Sequence, residues 1–242
     1  MFMLFRKSLI FLKKYGIQKF FFKVLKKLNS FNFSKKKLSY NDLRKFGNEF
    51  ASNEETLIIY IEFPYEDLLP NAKVLPHLPH KCDEYFNLLK DIPSESYSRV
   101  VATGLLEHLS DPEKLLSESY RILKKGGKVF ISASSVFPVH RGPDDYFHVT
   151  QFGMKELVKK QPWVSHQIKG SCGPFKTIAI LLERILLQTE TVFFIRPFVA
   201  LLSKIIHFLD IFVLKQYADR SFKEEKLIDT MMPSNIQLIA KK

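Results

Sequence analysis

Asp91-Ile-Pro-Ser-Glu-Ser-Tyr-Ser-Arg-Val-Val-Ala-Thr-Gly-Leu-Leu-Glu-His-Leu-Ser-Asp-Pro112, followed by Arg121-Ile-Leu-Lys-Lys-Gly-Gly-Lys-Val-Phe-Ile-Ser132, is the stretch that decides the fold. Arg99 to Thr103 is a short apolar run and reads as a strand, Glu113 to Leu123 has the spacing of an amphipathic helix, Lys125 to Lys128 reads as a glycine turn, and Val129 to Ala133 as a further strand. Upstream, Leu57 to Glu62 is another strand candidate. Strand, helix, strand implies a parallel α/β sheet. In such sheets a ligand lies beyond the carboxyl ends of the strands, so residues after Thr103 and after Ala133 should line any site.

The next stretch outward, Pro138-Val-His-Arg-Gly-Pro-Asp-Asp-Tyr-Phe-His-Val-Thr150, gathers titratable groups in a loop. Together, the Leu-Glu-His and Asp-Pro pair, the Gly-Gly turn and this loop resemble the class I S-adenosylmethionine-dependent methyltransferases, and more narrowly the type 11 methyltransferase-like group. The resemblance covers about residues 57–175. It implies a Rossmann-like sheet with helices on both faces, and methyl transfer from S-adenosylmethionine to a glycan or lipid-linked envelope precursor. It assigns catalytic roles to His108, His140 and Asp145, donor contacts to Glu62, Asp91, Ile92, Leu106 and Glu107, and acceptor contacts to Tyr146, His148 and Thr150. The bland alternatives are local hydrogen bonding by Glu107 and His108, and a structural loop in which Pro143 and Asp145 set a turn.

Pro64-Tyr-Glu-Asp-Leu-Leu-Pro-Asn-Ala72 is similar to the segment that follows the family's glycine motif, which makes Leu57 to Glu62 the first strand. The glycines themselves are missing, and Tyr60, Ile61, Glu62 and Phe63 stand in their place. Reading Leu57 to Glu62 as the second strand instead would leave Arg44 to Phe50, with Gly47, as the loop, and Glu62 as the ribose carboxylate. His148 replaces the family's arginine, which removes a bidentate donor for an anionic acceptor.

The 242 residues carry a formal charge of +12, are 46% hydrophobic and contain two cysteines, which excludes a disordered chain, a disulfide scaffold and a cysteine-based zinc site. His77, His80 and Cys82 are not a convincing ligand set, and no metal is expected. Residues 1–37 hold eleven basic and no acidic residues, so the rest of the chain is close to neutral. Ile17, Phe21, Val24, Leu25 and Leu28 recur on one helical face opposite Lys19, Lys23, Lys26 and Lys27. This basic amphipathic leader implies an anionic membrane surface as partner, and cytoplasmic, peripheral placement. Packing of the leader on the body is the alternative, and nucleic acid fits poorly because charge and aromatics lie on opposite faces.

Residues 38–174 form the methyltransferase-like core, and residues 175–242 an apolar helical extension with Ile236 to Lys241 as a closing edge strand. Charges interrupt Phe175 to Leu187 and Phe198 to Leu214 well before the roughly 20 apolar residues of a membrane span. Two rival functions accompany the envelope methyltransferase. One is a non-catalytic protein that keeps the fold for binding or scaffolding, and the other is methylation of RNA.

Overall fold

The computed structural model describes residues 38–78, 81–190, 194–220 and 225–242. The leader and His80 lie outside the described residues. The chain runs through α1 (Leu38–Glu49), β1 (Thr56–Tyr60), β2 (Ala72–Val74), α2 (Tyr85–Lys90), β3 (Tyr97–Thr103), α3 (Pro112–Ile122) and β4 (Leu123–Ser134). It continues through α4 (Gln151–Val158), β5 (Ser165–Ser171), α5 (Pro174–Gln188), α6 (Arg196–Ile206), β6 (Gln216–Arg220), β7 (Glu225–Ile228) and β8 (Asn235–Lys241).

The main sheet has six strands in the order β2-β1-β3-β4-β8-β5. Strands β2, β1, β3 and β4 are mutually parallel, as the strand-helix-strand reading requires, and β8 is antiparallel to both β4 and β5. The C-terminal strand is therefore interior and not an edge. The edge is β5, whose polar sequence Ser-His-Gln-Ile-Lys-Gly-Ser lacked an apolar run to announce it.

Continuous apolar runs are what a strand buried on both faces needs. Alternate residues go to opposite sides: Leu57, Ile59, Val100, Ala102, Val129 and Ile131 face one core, and Ile58, Val101 and Phe130 the other. The first core is covered by α2, α3 and α4 through Tyr85, Phe86, Leu89, Leu115, Leu116, Met154 and Val158. The second is closed by α1, through Leu43 and Phe46, and by Phe50, Phe63, Leu68 and Leu69. At its centre the Phe130 ring lies 4.6 Å from Phe50 and 6.4 Å from Phe46. Burial of each such side chain contributes about 1.5–3 kcal/mol. This is the Rossmann-like arrangement expected, with helices on both faces.

Local signals explain the element ends. The Asp111 side chain accepts the backbone N–H of Lys114 at 3.1 Å and Pro112 occupies the first turn, so the Asp-Pro pair starts α3. Arg121, at the other end of α3, donates to the carbonyls of Ile92 at 2.7 Å and Leu89 at 2.8 Å, pinning α2 to α3. The Gly-Gly segment is a bulge inside β4 and not a free turn: Tyr97 pairs with Leu123 but Arg99 with Lys128, so the intervening residues loop out, Gly126 with φ 77°.

The C-terminal extension forms α5 and α6, which pack together, followed by a 3-10 segment His207–Phe212. Phe198, Leu201, Ile205, Phe208, Ile211 and Phe212 remain exposed on it. Among the described residues no helix is long and apolar enough to cross a membrane.

Candidate functional site

Beyond the carboxyl end of β3 the chain turns at Gly104 into the 3-10 segment Leu106–His108, and beyond β4 it enters the loop of residues 135–150. Gly104 has φ 68°, and a Cβ there would meet the Glu62 carboxyl carbon at 2.8 Å. The left-handed backbone favours glycine there, while the exposed Glu62 side chain could swing aside, and the turn leads into the segment that carries Glu107 and His108.

Glu107 is buried, and its Oε1 accepts both the backbone N–H of Ser134 at 3.1 Å and the Ser134 hydroxyl at 2.7 Å, which ties the two strand ends together. Its backbone carbonyl accepts the Tyr146 N–H at 2.9 Å, fixing the loop in turn. Burial pushes the Glu107 carboxyl upward against the lowering effect of the Ser134 hydrogen bonds. His108 Nδ1 is 2.5 Å from the Asp144 carbonyl oxygen, and burial lowers its imidazole below the usual histidine range.

The loop brings three more groups to the same place. Asp145 Oδ2 accepts the His140 backbone N–H at 2.8 Å, and His148 Nε2 stands 3.3 Å from Asp145 Oδ1. The rings of His108 and His140 lie 4.8 Å apart, edge to face, and those of His140 and His148 6.3 Å apart. Burial, with His108 adding to it and Asp145 opposing it, pushes His140 down to about 4. His140 is thus neutral near pH 7 and a weak base. His148 is the partly exposed ring of the set.

Five of the expected site residues, Glu107, His108, His140, Asp145 and His148, converge here. Tyr146 lies beside them, half exposed, with its hydroxyl 3.3 Å from Asp144 Oδ1. Others do not join. Thr150 Oγ1 accepts the Gly153 N–H at 3.1 Å and caps α4, which gives the residue a structural task. The Leu106 side chain is wholly buried in the first core. Asp91 and Ile92 border a cavity of about 420 Å³ with Glu55, Asn71, Lys73 and Tyr97. Because Glu55, Asn71 and Tyr97 sit at or just before the starts of β1, β2 and β3, that cavity opens at the amino ends of the strands, opposite the cluster. His77 does not reach the cluster either and lies against Tyr60.

Residues missed in the sequence include Asp144 and Arg141. Asp144 Oδ2 accepts the Lys81 N–H at 2.6 Å, which clamps the loop to the segment before α2. Arg141 lies over the Tyr60 ring, 5.3 Å from its centroid, and donates to Leu78 O at 3.3 Å. Both were visible inside the loop motif, but nothing in the sequence said which element they would meet.

The donor side is built differently. β1 ends at Tyr60, and the glycine turn a donor would rest on is absent. Tyr60 is held between Arg141 and His77, and burial pushes its phenol up to about 12, with Glu62 adding to the effect. Phe63 turns back into the second core, where Gly47 of α1 makes room for it: a Cβ at Gly47 would meet Leu68 at 2.9 Å and Phe63 at 3.0 Å. Gly47 is therefore a packing glycine within a helix, and β1 is the first strand of the sheet, so the alternative register falls. Glu62 is at the strand end with its carboxyl against Gly104. Tyr60, with Arg141 over its ring, and the exposed Glu62 stand at this strand end in place of glycines.

Residues 71–131, from β2 through β4, match the methyltransferase domain family. The chain is also 30% identical over 87 residues to the ubiquinone biosynthesis O-methyltransferases of Pseudomonas entomophila and Pseudomonas putida, a match covering 36% of this chain and 34% of each relative. The matched segment thus spans about a third of the length of those curated relatives. Among solved structures, a SAM-dependent methyltransferase from Archaeoglobus fulgidus aligns at 15% identity and TM-score 0.45, covering 97% of this chain and 98% of that one. The Haemonchus contortus phosphoethanolamine N-methyltransferase 2 aligns at 16% identity and TM-score 0.45, covering 96% and 59%.

Proposed function

We propose that this protein is a methyltransferase that modifies an oxygen of a glycan or lipid-linked envelope precursor at a membrane surface. The observation that carries the reading is the convergence of Glu107, His108, His140, Asp145 and His148 beyond the carboxyl ends of β3 and β4. A hydroxyl acceptor placed there meets imidazole and carboxyl groups able to orient it, with His140 and His108 held below the usual histidine range and so able to accept its proton. S-adenosylmethionine, when bound, supplies the methyl group. The name of the matched relatives, O-methyltransferases, supports oxygen as the methylated atom. The apolar surface of α6 and the 3-10 segment, together with the basic leader, supports membrane association.

Incubation of the full chain with methyl-labelled S-adenosylmethionine and bacterial membranes tests the activity. Label should enter the lipid-linked or glycan fraction, and its absence there would defeat the reading. For the membrane, removal of residues 1–37 should release the protein from anionic vesicles, and salt should weaken binding of the full chain. Undiminished binding by the truncated chain would remove the leader's role and leave the exposed face of α6.

One observation favours a second reading, a non-catalytic protein that uses the fold to bind or scaffold. It is the crowding at the end of β1 by Tyr60, Arg141 and Glu62.

A further inference from the structure

Several lone pairs in the cluster have no hydrogen-bond donor to meet them. His108 Nδ1 faces the Asp144 carbonyl at 2.5 Å and His140 Nδ1 the Pro138 carbonyl at 3.1 Å. A carbonyl only accepts, so in both rings Nδ1 carries the hydrogen and Nε2 keeps its lone pair. His108 Nε2, Glu107 Oε2 and Asp145 Oδ1 are buried without a hydrogen-bond partner. Three such orphans in one place are costly in a folded protein and need a ligand or a proton to explain them.

Two overlapping groups share His140. The donor atoms of Glu107, His108 and His140 lie within 4.8 Å of one another, and so do those of His140, Asp145 and His148. His148 Nε2 and Asp145 Oδ1 are 3.3 Å apart without the alignment of a hydrogen bond, close to the edge of about 3.4 Å between two ligands of a tetrahedral ion with bonds near 2.1 Å. The supports also match those of a metal centre: each inner imidazole gives its second nitrogen to a backbone carbonyl, and the second carboxylate oxygen of Asp145 is held by the His140 N–H. His148, partly exposed, leaves an approach from solvent.

We propose that His140, Asp145 and His148 bind one divalent transition cation of the zinc, iron or manganese type, with Glu107 and His108 lining its inner side. Two imidazoles and a carboxylate suit these ions and leave coordination positions open. A cation there deepens the proposed methyl transfer, on which its role rests: an acceptor hydroxyl bound at an open position would be acidified by the metal, relieving a weak base such as His140 of that task.

The test is metal uptake by the full chain without donor or acceptor, so that it is decided separately from methyl transfer. The protein is stripped with chelator and titrated with Co²⁺, then with Zn²⁺ in competition. One Co²⁺ per chain with the visible absorption of a low-coordinate nitrogen and oxygen site, displaced by Zn²⁺, is expected. His148→Ala changes a partly exposed side chain and should keep the fold while weakening uptake by more than about tenfold, and Asp145→Asn, which preserves shape, should do the same. Failure of the folded wild-type chain to take up either ion saturably would overturn the proposal and leave protons as the cluster's only partners. Uptake unchanged in both variants would also overturn it, because the ion would then be bound elsewhere.

Discussion

The ends of β1 and β3 are neighbours in one sheet, yet the chain treats them in opposite ways. After β3 it uses a glycine in the left-handed region to turn sharply and deliver Glu107 and His108 to a polar cluster. After β1 it uses bulky residues, filling the corresponding space with Tyr60 and sending Phe63 into the second core. The first arrangement leaves buried lone pairs without partners, beside the partly exposed His148. The second satisfies packing and leaves little room. In the proposed methyl transfer the end of β3 would hold the acceptor and the end of β1 the donor, and buried polar atoms without partners gather at the former.

The comparison is most severely tested by Phe130→Ala. Phe130 links β4, the strand leading into the acceptor loop, to the aromatic packing of the donor half, so its loss should cost about 3–5 kcal/mol of unfolding free energy. Chemical denaturation measures this, and a cost below about 1 kcal/mol would mean that the two halves are not packed through this ring. Next comes Gly104→Ala, which adds an unfavourable backbone conformation to a collision with Glu62 and should destabilise by about 1–3 kcal/mol. Adding Glu62→Ala should recover part of the loss, and no recovery would show that the contact between the two strand ends is unimportant.

On the acceptor side, His140→Ala and His148→Ala should each lower methyl transfer by more than about tenfold, equal to about 1.4 kcal/mol in the barrier. Equal turnover in both variants would reduce the cluster to a structural knot. Asp145 is less suitable for this purpose: its side chain is 3% exposed and holds the His140 backbone, so Asp145→Ala should also lower the melting temperature. The smallest effect is expected at the other end, where Tyr60→Ala opens space and should strengthen donor binding by less than about tenfold. Weakened binding would mean that Tyr60 is a donor contact and not an obstruction.

What the sequence made legible follows from how each element is encoded. Strands β1, β3 and β4 are buried on both faces and so appear as unbroken apolar runs, and α3 announces itself through Asp111, Pro112 and an amphipathic period. β5 has an exposed, polar start and takes its place by pairing with β8, a contact about 70 residues away that no local pattern carries. At the site, residue types in the loop pointed to His140, Asp145 and His148. Their union with Glu107 and His108 depends on the Ser134 and Tyr146 hydrogen bonds to Glu107, which only the fold creates. Thr150 carries a capping hydroxyl, a role that looks the same in sequence as a ligand-binding one. Asp91 and Ile92 failed to join because they precede β3 and so sit at its amino end.

The contrast between the two strand ends comes down to whether the first can hold the donor. Calorimetric titration of the full chain with S-adenosylmethionine, with and without anionic vesicles, measures this directly. With Tyr60, Arg141 and Glu62 occupying the end of β1, the account predicts a dissociation constant no tighter than about 100 μM, or roughly −5.5 kcal/mol, for the chain without membranes. A low-micromolar constant for the chain alone would contradict it, because these side chains would then be forming the donor site instead of filling it.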